Sequence, residues 1–515
     1  VSAPRASRVW LLAALALALG LRLHDLGVPG LWLDEIHSLA NSAARRAELE
    51  QLPRNRIVGS NAPATCLQPT ASAADVWRGM RNDTHPPAYF ELLWLWRRLV
   101  GSSPFETRLL SVLLSLVALL ATAGALRALG EGRAATLAAF LDAGAFLPLQ
   151  MAQNIRPYSL TLALVSGSTL ALVRLCRAGE RARDWLPWAL AYGVGAYLAV
   201  MSHYFAALGL LGPLLVARRL GPRAGRAVVA ALAAAVAFGL SWGPSLWAQA
   251  PKLAGQTWLT DTSPGHLTRS LLRLASAPIS VAFSVQARPT IAGIGLAAAG
   301  ALLAFTLRQR SPAALLFAAW GFVPMLTLAA IDIGTSHKFL DHGRYMSMAA
   351  PGILGLLGLA LASLPKWPQA ASLVLLAACA ALNLPLPAPR ERPVAAPPAV
   401  AIGSVVEPGD LLVLDGRGNP DFWARTVFPV LSYQVDHFET DEVCPAPAAV
   451  GYVRLLGEPT PALRESMAGF RRLLVVTPLR PASSPNPMPE VFPVGRGRAR
   501  VEEGPLVYVF ARSGS

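Results

Sequence analysis

In the apolar stretch LWLDEIHSL, Leu31 to Leu39, two carboxylates stand side by side, Asp34 and Glu35, with His37 two positions on. Successive helical positions lie ~100° apart, so in a helix one acid can face a cavity while the other braces it. A carboxylate at a dry interface can take a proton from a weak nucleophile, because burial and neighbours tune its proton affinity. The competing explanation is an amphipathic helix that turns an acid edge to water.

Further stretches carry residues of the same kind. In NDTHPPAYF, Asp83 and His85 are held just before Pro86 and Pro87, which fix the chain where a helix begins. An ordinary helix cap accounts for that pattern too. In MAQNIRPYSL, Arg156 is a permanently charged, forked donor suited to phosphate or carboxylate, with Tyr158 two positions on. Snorkelling to lipid headgroups is its alternative. His203, in SHYF, ends an apolar run as a metal ligand, a proton carrier or simply a polar residue at an interface. TSHKFLDHGRY adds Lys338 and Arg344, which a solvated loop would also explain. Asp142 lies inside an apolar run, where an acid costs about 2.5–3.5 kcal/mol on insertion scales, and no motif names its partner.

These residues sit in a chain of 515 residues that is 54% hydrophobic and only 15% charged. Soluble domains carry roughly 25% charged residues, so the composition points to a polytopic membrane protein. The net charge of +15 is spread in short clusters between apolar runs. Orientation in a bilayer requires that distribution, and a nucleic-acid groove does not. No nucleic-acid partner is expected.

Crossing a bilayer takes about 20 apolar residues, and about eleven runs come near that length. The first, Val9–Leu23, reads as a signal anchor that stays in the protein. Phe105–Leu126, Ala134–Met151, Tyr158–Leu175, Leu186–Met201 and Tyr204–Ala217 follow. Ala227–Trp247, Ile291–Leu307, Pro312–Ile331, Met346–Leu364 and Ala370–Leu386 complete the set. Pro86–Val100 is short and holds Glu91, Arg97 and Arg98, so it reads as interfacial. With the amino terminus inside, the basic clusters around Arg127–Arg133, Arg174–Arg183, Arg218–Arg226 and Arg308–Arg310 then all face the cytoplasm, as the positive-inside rule asks. Asp34, Glu35, Asp83, His85, Arg156, His203, Lys338 and Arg344 fall on the outer face.

Past Leu386 the composition changes. A Pro-rich stretch at 391–400 reads as a semi-rigid linker. The runs DLLVLD (Asp410–Asp415), RLLVVT (Arg472–Thr477) and PLVYVFA (Pro505–Ala511) read as strands. The expected organisation is a transmembrane domain over 1–390 with interfacial helices in an outer loop at 24–104, and a small soluble α/β domain at 401–515. Four cysteines show no metal-ligand spacing. Cys176 and Cys379 lie in apolar runs, while Cys66 and Cys444 would share an oxidising compartment, and pairing between them is open.

In their order, LWLDEIHSL, THPPAYFELLWLWRRLVG, ETRLLSVLLSLVALL, QNIRPYSLTLAL, SHYFAALGLL and HGRYMSMAAPGILGLLGLAL resemble the GT-C superfamily of integral-membrane glycosyltransferases. The likeness is to family 39, which includes protein O-mannosyltransferases and lipid A aminoarabinose transferases, and spans roughly Leu11 to Leu364. It implies an all-α polytopic fold with interfacial helices in the first outer loop. It also implies transfer from a polyprenyl-phosphate sugar to an acceptor, with inversion at the anomeric carbon. The family's acidic pair maps onto Asp34, as base, and Glu35. Arg156 corresponds to the family's phosphate-contacting cation, with Lys338 and Arg344 as looser counterparts. QNIR stands where QEAR is usual, so Asn154 replaces an acid. Some relatives bind a divalent metal; His85 and His203 are the candidate ligands, and no spacing rule supports them.

Elementary chemistry runs the same way. An outer membrane face offers no nucleotide sugars, so the donor has to arrive on a lipid. Its leaving phosphate gains charge that fixed cations stabilise, and the acceptor needs a base. The expected enzyme works at the outer face of a bacterial cytoplasmic membrane on a lipid, glycan or protein acceptor. The rivals are a transporter or lipid-linked-sugar flippase, for which internal repeats are missing, and a non-catalytic glycan-binding membrane protein.

Overall fold

The computed structural model describes residues 5–28, 30–59, 62–254, 259–283, 288–365, 406, 409–417, 423–436, 451–477, 498–499 and 506–511. In chain order its helices are α1 (Arg5–Leu23), α2 (Leu33–Ser42), α3 (Arg46–Glu50), α4 (Ala62–Thr65), α5 (Ala73–Met80), α6 (Ala88–Leu99) and α7 (Pro104–Ala128). Then come α8 (Gly132–Gly144), α9 (Phe146–Ala152), α10 (Tyr158–Cys176), α11 (Ala182–Ser202), α12 (Ala206–Leu215), α13 (Ala217–Leu220) and α14 (Ala224–Ala254). The last are α15 (His266–Ala282), α16 (Pro289–Gln309), α17 (Pro312–Thr335), α18 (Ala350–Ser363), α19 (Phe428–Asp436) and α20 (Pro461–Ala468). The strands are β1 (Ile57–Val58), β2 (Leu411–Asp415), β3 (Gly451–Leu455), β4 (Arg472–Thr477), β5 (Arg498–Ala499) and β6 (Leu506–Ala511).

The chain divides into two units. The first comprises Val1–Leu26, Met80–Leu92 and Arg108–Pro387. Six helical stretches among the described residues are long and apolar enough to cross a membrane: α7, α10, α14, α16, α17 and Gly343–Ser363, which runs from a 3₁₀ turn into α18. The pair α8–α9, bent by 63°, would make a seventh. Pro148 explains the bend, since its ring would strike the carbonyl of residue 144 in a continuous helix. The chain breaks instead at Ala145, whose ψ of 136° is extended. Fewer spans meet this measure than the eleven runs in the sequence. Helix α12, with only 10 residues, is too short to cross. Ala370–Leu386 lies outside the described residues.

Pro86–Val100 becomes α6, a helix of 12 residues. At ~1.5 Å per residue it covers about 18 Å, well short of a hydrocarbon core about 30 Å thick. The stretch between α14 and α16 holds α15, which packs on α16 and α17. Close helix packing rests on small residues. A Cβ at Gly212 of α12 or Gly352 of α18 would fall inside contact distance of α17 backbone, at Ala319 and Gly321 respectively.

The second unit comprises Gly27–Gly79, Leu93–Thr107 and Ala388–Ser515. Its sheet has the order β1-β3-β2-β4-β6-β5. Strands β3, β2 and β4 are parallel, with Val413 opposite both Val453 and Val475. The three runs read as strands in the sequence are β2, β4 and β6. Leu411 to Leu414 are fully buried, as in a sheet covered on both faces. Strand β1 comes from the stretch between α3 and α4 and pairs antiparallel with β3. Asn55 secures it, its N–H donating to Arg454 O at 2.8 Å and its Oδ1 accepting from Leu456 N at 3.0 Å. Loop and carboxy-terminal residues therefore share one sheet, which a boundary drawn at residue 401 would divide. Cys66 is disulfide-bonded and Cys176 is buried and free. Cys379 and Cys444 lie outside the described residues.

Candidate active site

The acidic pair sits in the first turn of α2, in the second unit. Glu35 is fully buried and accepts the N–H of Trp32 on Oε2 at 3.4 Å. Asp34, one position earlier, is only part-buried. The two acids thus divide as neighbouring helical positions must, one turned inward as a brace and one outward. Ser38 Oγ donates to Asp34 O at 2.9 Å, tightening that turn.

Arg97 of α6 holds the other end of α2. Its Nη1 donates to Leu39 O at 3.2 Å and Ser42 Oγ at 2.8 Å, its Nε to Ser102 Oγ at 3.1 Å, and its Nη2 to Leu67 O. Burial pulls its pKa down to about 10, and Tyr433 opposes that shift. A guanidinium spread over four acceptors is an anchor for α2 and leaves little to offer a substrate.

The first unit gathers the cations. His85 Nδ1 lies 2.9 Å from Asp83 Oδ1, and its Nε2 lies 3.2 Å from Arg156 Nη2. The His203 ring centroid is 5.8 Å from that of His85 and 5.3 Å from that of Tyr158. Phe205 and Tyr345 pack on the same imidazole at 5.5 and 6.4 Å. Arg344 lies over Tyr345, its guanidinium carbon 5.4 Å from the ring centre. His203 Nδ1 accepts the N–H of Phe205 at 3.2 Å. Burial, and then the charges of His85, Arg156 and Arg344, hold the His203 pKa well below 6.5. The charges of Arg156 and Arg344 felt at that ring are the ones that would attract an anion.

Asp83, His85, Arg156, Tyr158, His203 and Arg344 are thus brought together. Lys338 is not joined to them by any side-chain contact among the described residues. Its backbone N–H donates to Leu259 O at 2.9 Å, and its neighbour Phe339 packs on Tyr345. Sequence reading missed the residues that hold the segment before Asp83. On α14, Gln249 donates to Met80 O at 2.8 Å and Lys252 to Asn82 O at 2.6 Å. Tyr204 bonds Gln249 and takes the Trp242 indole N–H at 2.9 Å. Asp332, fully buried, accepts the N–H groups of Phe339 and Leu340 at 2.8 Å each and shapes the turn before Arg344. No motif signalled Gln249 or Lys252, because each acts on a backbone group about 170 positions away in sequence.

His85 and His203 do not fit a metal site. Both His85 nitrogens and His203 Nδ1 are already engaged. Among the described residues no group of three or more His, Cys, Asp or Glu has the geometry to hold a metal ion.

Residues 84–247 match the family described as dolichyl-phosphate-mannose-protein mannosyltransferase. The fold is similar to that of ArnT from Cupriavidus metallidurans bound to undecaprenyl phosphate, at 14% identity and a TM-score of 0.56, covering 98% of both chains. The apo state of the same protein is similar at 13% identity and a TM-score of 0.57, with 98% of both chains covered. No curated protein sequence matches the chain at a significant level.

Proposed function

We propose that this chain, a membrane-embedded glycosyltransferase of the GT-C superfamily, moves a sugar from a polyprenyl-phosphate donor to an acceptor hydroxyl or similar group with inversion. The observation that carries the reading is the cationic cluster of the first unit, where Arg156 and Arg344 stand around a deeply buried His203 that they help keep uncharged. A leaving phosphate gains negative charge as the glycosidic bond breaks, and fixed cations lower the energy of that state without reorganising. The similarity in fold to a protein bound to undecaprenyl phosphate supports the same choice of donor.

In this reading Arg156 grips the phosphate, assisted by Arg344 and by His85 in the tautomer that Asp83 selects. Tyr158 and His203 wall the phosphate end. Lys338, apart from the cluster, is assigned to looser contacts with donor or acceptor. Asp34 takes the acceptor's proton, and Glu35 holds the turn from which Asp34 projects. Displacement of the phosphate by the deprotonated acceptor, attacking opposite the departing oxygen, inverts the anomeric centre. The reaction is read at the outer face of a bacterial cytoplasmic membrane, with the carboxy-terminal residues also outside. A disulfide at Cys66 supports an oxidising compartment for the first loop. The acceptor is read as a lipid, a glycan or a protein.

The test is Asp34→Asn in purified protein given a panel of radiolabelled polyprenyl-phosphate sugars and a membrane extract. Turnover should fall about a hundredfold or more while undecaprenyl phosphate still binds. Undiminished turnover would remove Asp34 as the base.

A further inference from the structure

We propose that the buried ion pair Arg22–Asp142 is a positioning device that sets where Arg156 stands. The inference rests on the reading of Arg156 as the phosphate grip. Arg22 ends α1 and is fully buried; its Nη2 lies 2.7 Å from Asp142 Oδ1. Its Nη1 also donates to Ala18 O at 3.3 Å, which fixes the guanidinium against its own helix. Asp142 belongs to the last turn of α8, just before the 63° break. Beyond the break, α9 ends at Ala152, and Gln153 Nε2 donates back to the carbonyls of Arg22 and His24 at 3.3 and 3.0 Å.

The end of α1 therefore holds the broken helix on both sides of its bend, by a charge before it and by two carbonyls after it. A bend made only of an extended residue and a proline has no intrinsic angle to keep, because the backbone bonds that would stiffen it are missing. From Gln153 the chain reaches Arg156 in three residues. Ser111 Oγ donates to Asn154 O at 2.6 Å, and Arg156 N donates to the same oxygen at 2.9 Å. With Gln153 and Asn154 both pinned, the Arg156 backbone has little freedom, and the direction of α9 decides its place. An acid of no assigned role in an apolar run, costly to keep there, acquires one.

The experiment measures undecaprenyl phosphate affinity of the full chain in lipid nanodiscs for wild type, Asp142→Asn, Arg156→Gln and the double variant. Each single change should weaken binding about tenfold or more. The double variant should bind no more weakly than Arg156→Gln alone, because nothing is left for the pair to position. Additive losses, or wild-type affinity in Asp142→Asn, would overturn the inference and leave the phosphate reading standing. Wild-type affinity in Arg156→Gln would remove the phosphate reading and this inference with it. Should Asp142→Asn fail to fold, R22M/D142L enters the same cycle, since a packed apolar pair replaces a buried ion pair at little cost in stability.

Discussion

Arg156 Nη2 lies 3.2 Å from Nε2 of His85, whose other ring nitrogen lies 2.9 Å from Asp83 Oδ1. A guanidinium has hydrogens to give and no lone pair to offer. Nε2 must therefore accept, and Nδ1 carries the hydrogen that goes to Asp83. The carboxylate selects the tautomer that lets the ring hold the arginine. Asp83→Ala should lower turnover about tenfold to a hundredfold through a misplaced guanidinium. His85→Gln, which keeps an acceptor for Arg156, should retain more activity than His85→Leu. Equal rates for those two variants, measured with the same labelled donor, would mean that the contact to Arg156 does not matter.

His203 makes stability sensitive to acid. Burial, followed by repulsion from His85, Arg156 and Arg344, depresses its pKa in the folded state, while the unfolded value is about 6.5. Below about pH 6.5 the unfolded chain binds more protons at this site than the folded one. The stabilisation is complete above that value and is lost as pH falls toward the folded pKa, by about 1.4 kcal/mol per unit of depression. The thermal midpoint of the wild type should drop between about pH 7 and pH 5, and that drop should be smaller in His203→Gln. Identical pH profiles would assign the acid sensitivity to other groups.

Two pairs of the candidate site could be read from the sequence because their parts are local. Asp34 and Glu35 are neighbours on a short helix, and two neighbours on a helix cannot face the same way. The Asp83–His85 pair is equally local, two residues apart and fixed by the prolines that follow. Long-range partners were out of reach. Asp142 drew notice as an acid in an apolar run, yet its partner Arg22 stands 120 positions away. Gln249 and Lys252 serve carbonyls of Met80 and Asn82 across a similar gap. Strand β3 escaped because Arg454 interrupts its apolar run. That arginine is fully buried, with Ser432 Oγ 2.9 Å from Nη2, so a charge that reads as surface belongs to the core. Two residues of the first loop make β1, too short to leave any periodicity.

Gly352 tests the packing of α18 on α17. A Cβ there would meet the backbone of Trp320 and Gly321, which no rotamer change can relieve. Gly352→Ala should cost about 1–3 kcal/mol through a forced separation of the helices, read as a lower unfolding midpoint in detergent. Gly293, whose Cβ would meet nothing within 4 Å, is the matched control. Its alanine variant should be neutral or slightly stabilising, because alanine is the better helix former by about 1 kcal/mol. Equal midpoints for the two variants would show that α17 and α18 do not approach as closely as described.

Arg97 separates an anchoring cation from a substrate-binding one. It is buried, it bonds to Leu39, Ser42, Leu67 and Ser102, and the first two close the carboxy-terminal end of the helix whose first turn carries Asp34. Lysine keeps the charge but loses the planar fork that reaches several acceptors at once. Arg97→Lys should therefore lower turnover, because α2 loses its clamp, while affinity for undecaprenyl phosphate stays at the wild-type level. Arg97→Met also strands buried acceptors at about 1–3 kcal/mol each, so it should lower the unfolding midpoint further than lysine does. A variant that binds donor lipid poorly but turns over bound donor at the normal rate would place Arg97 with the phosphate, beside Arg156 in function, and would end its assignment as the support for Asp34.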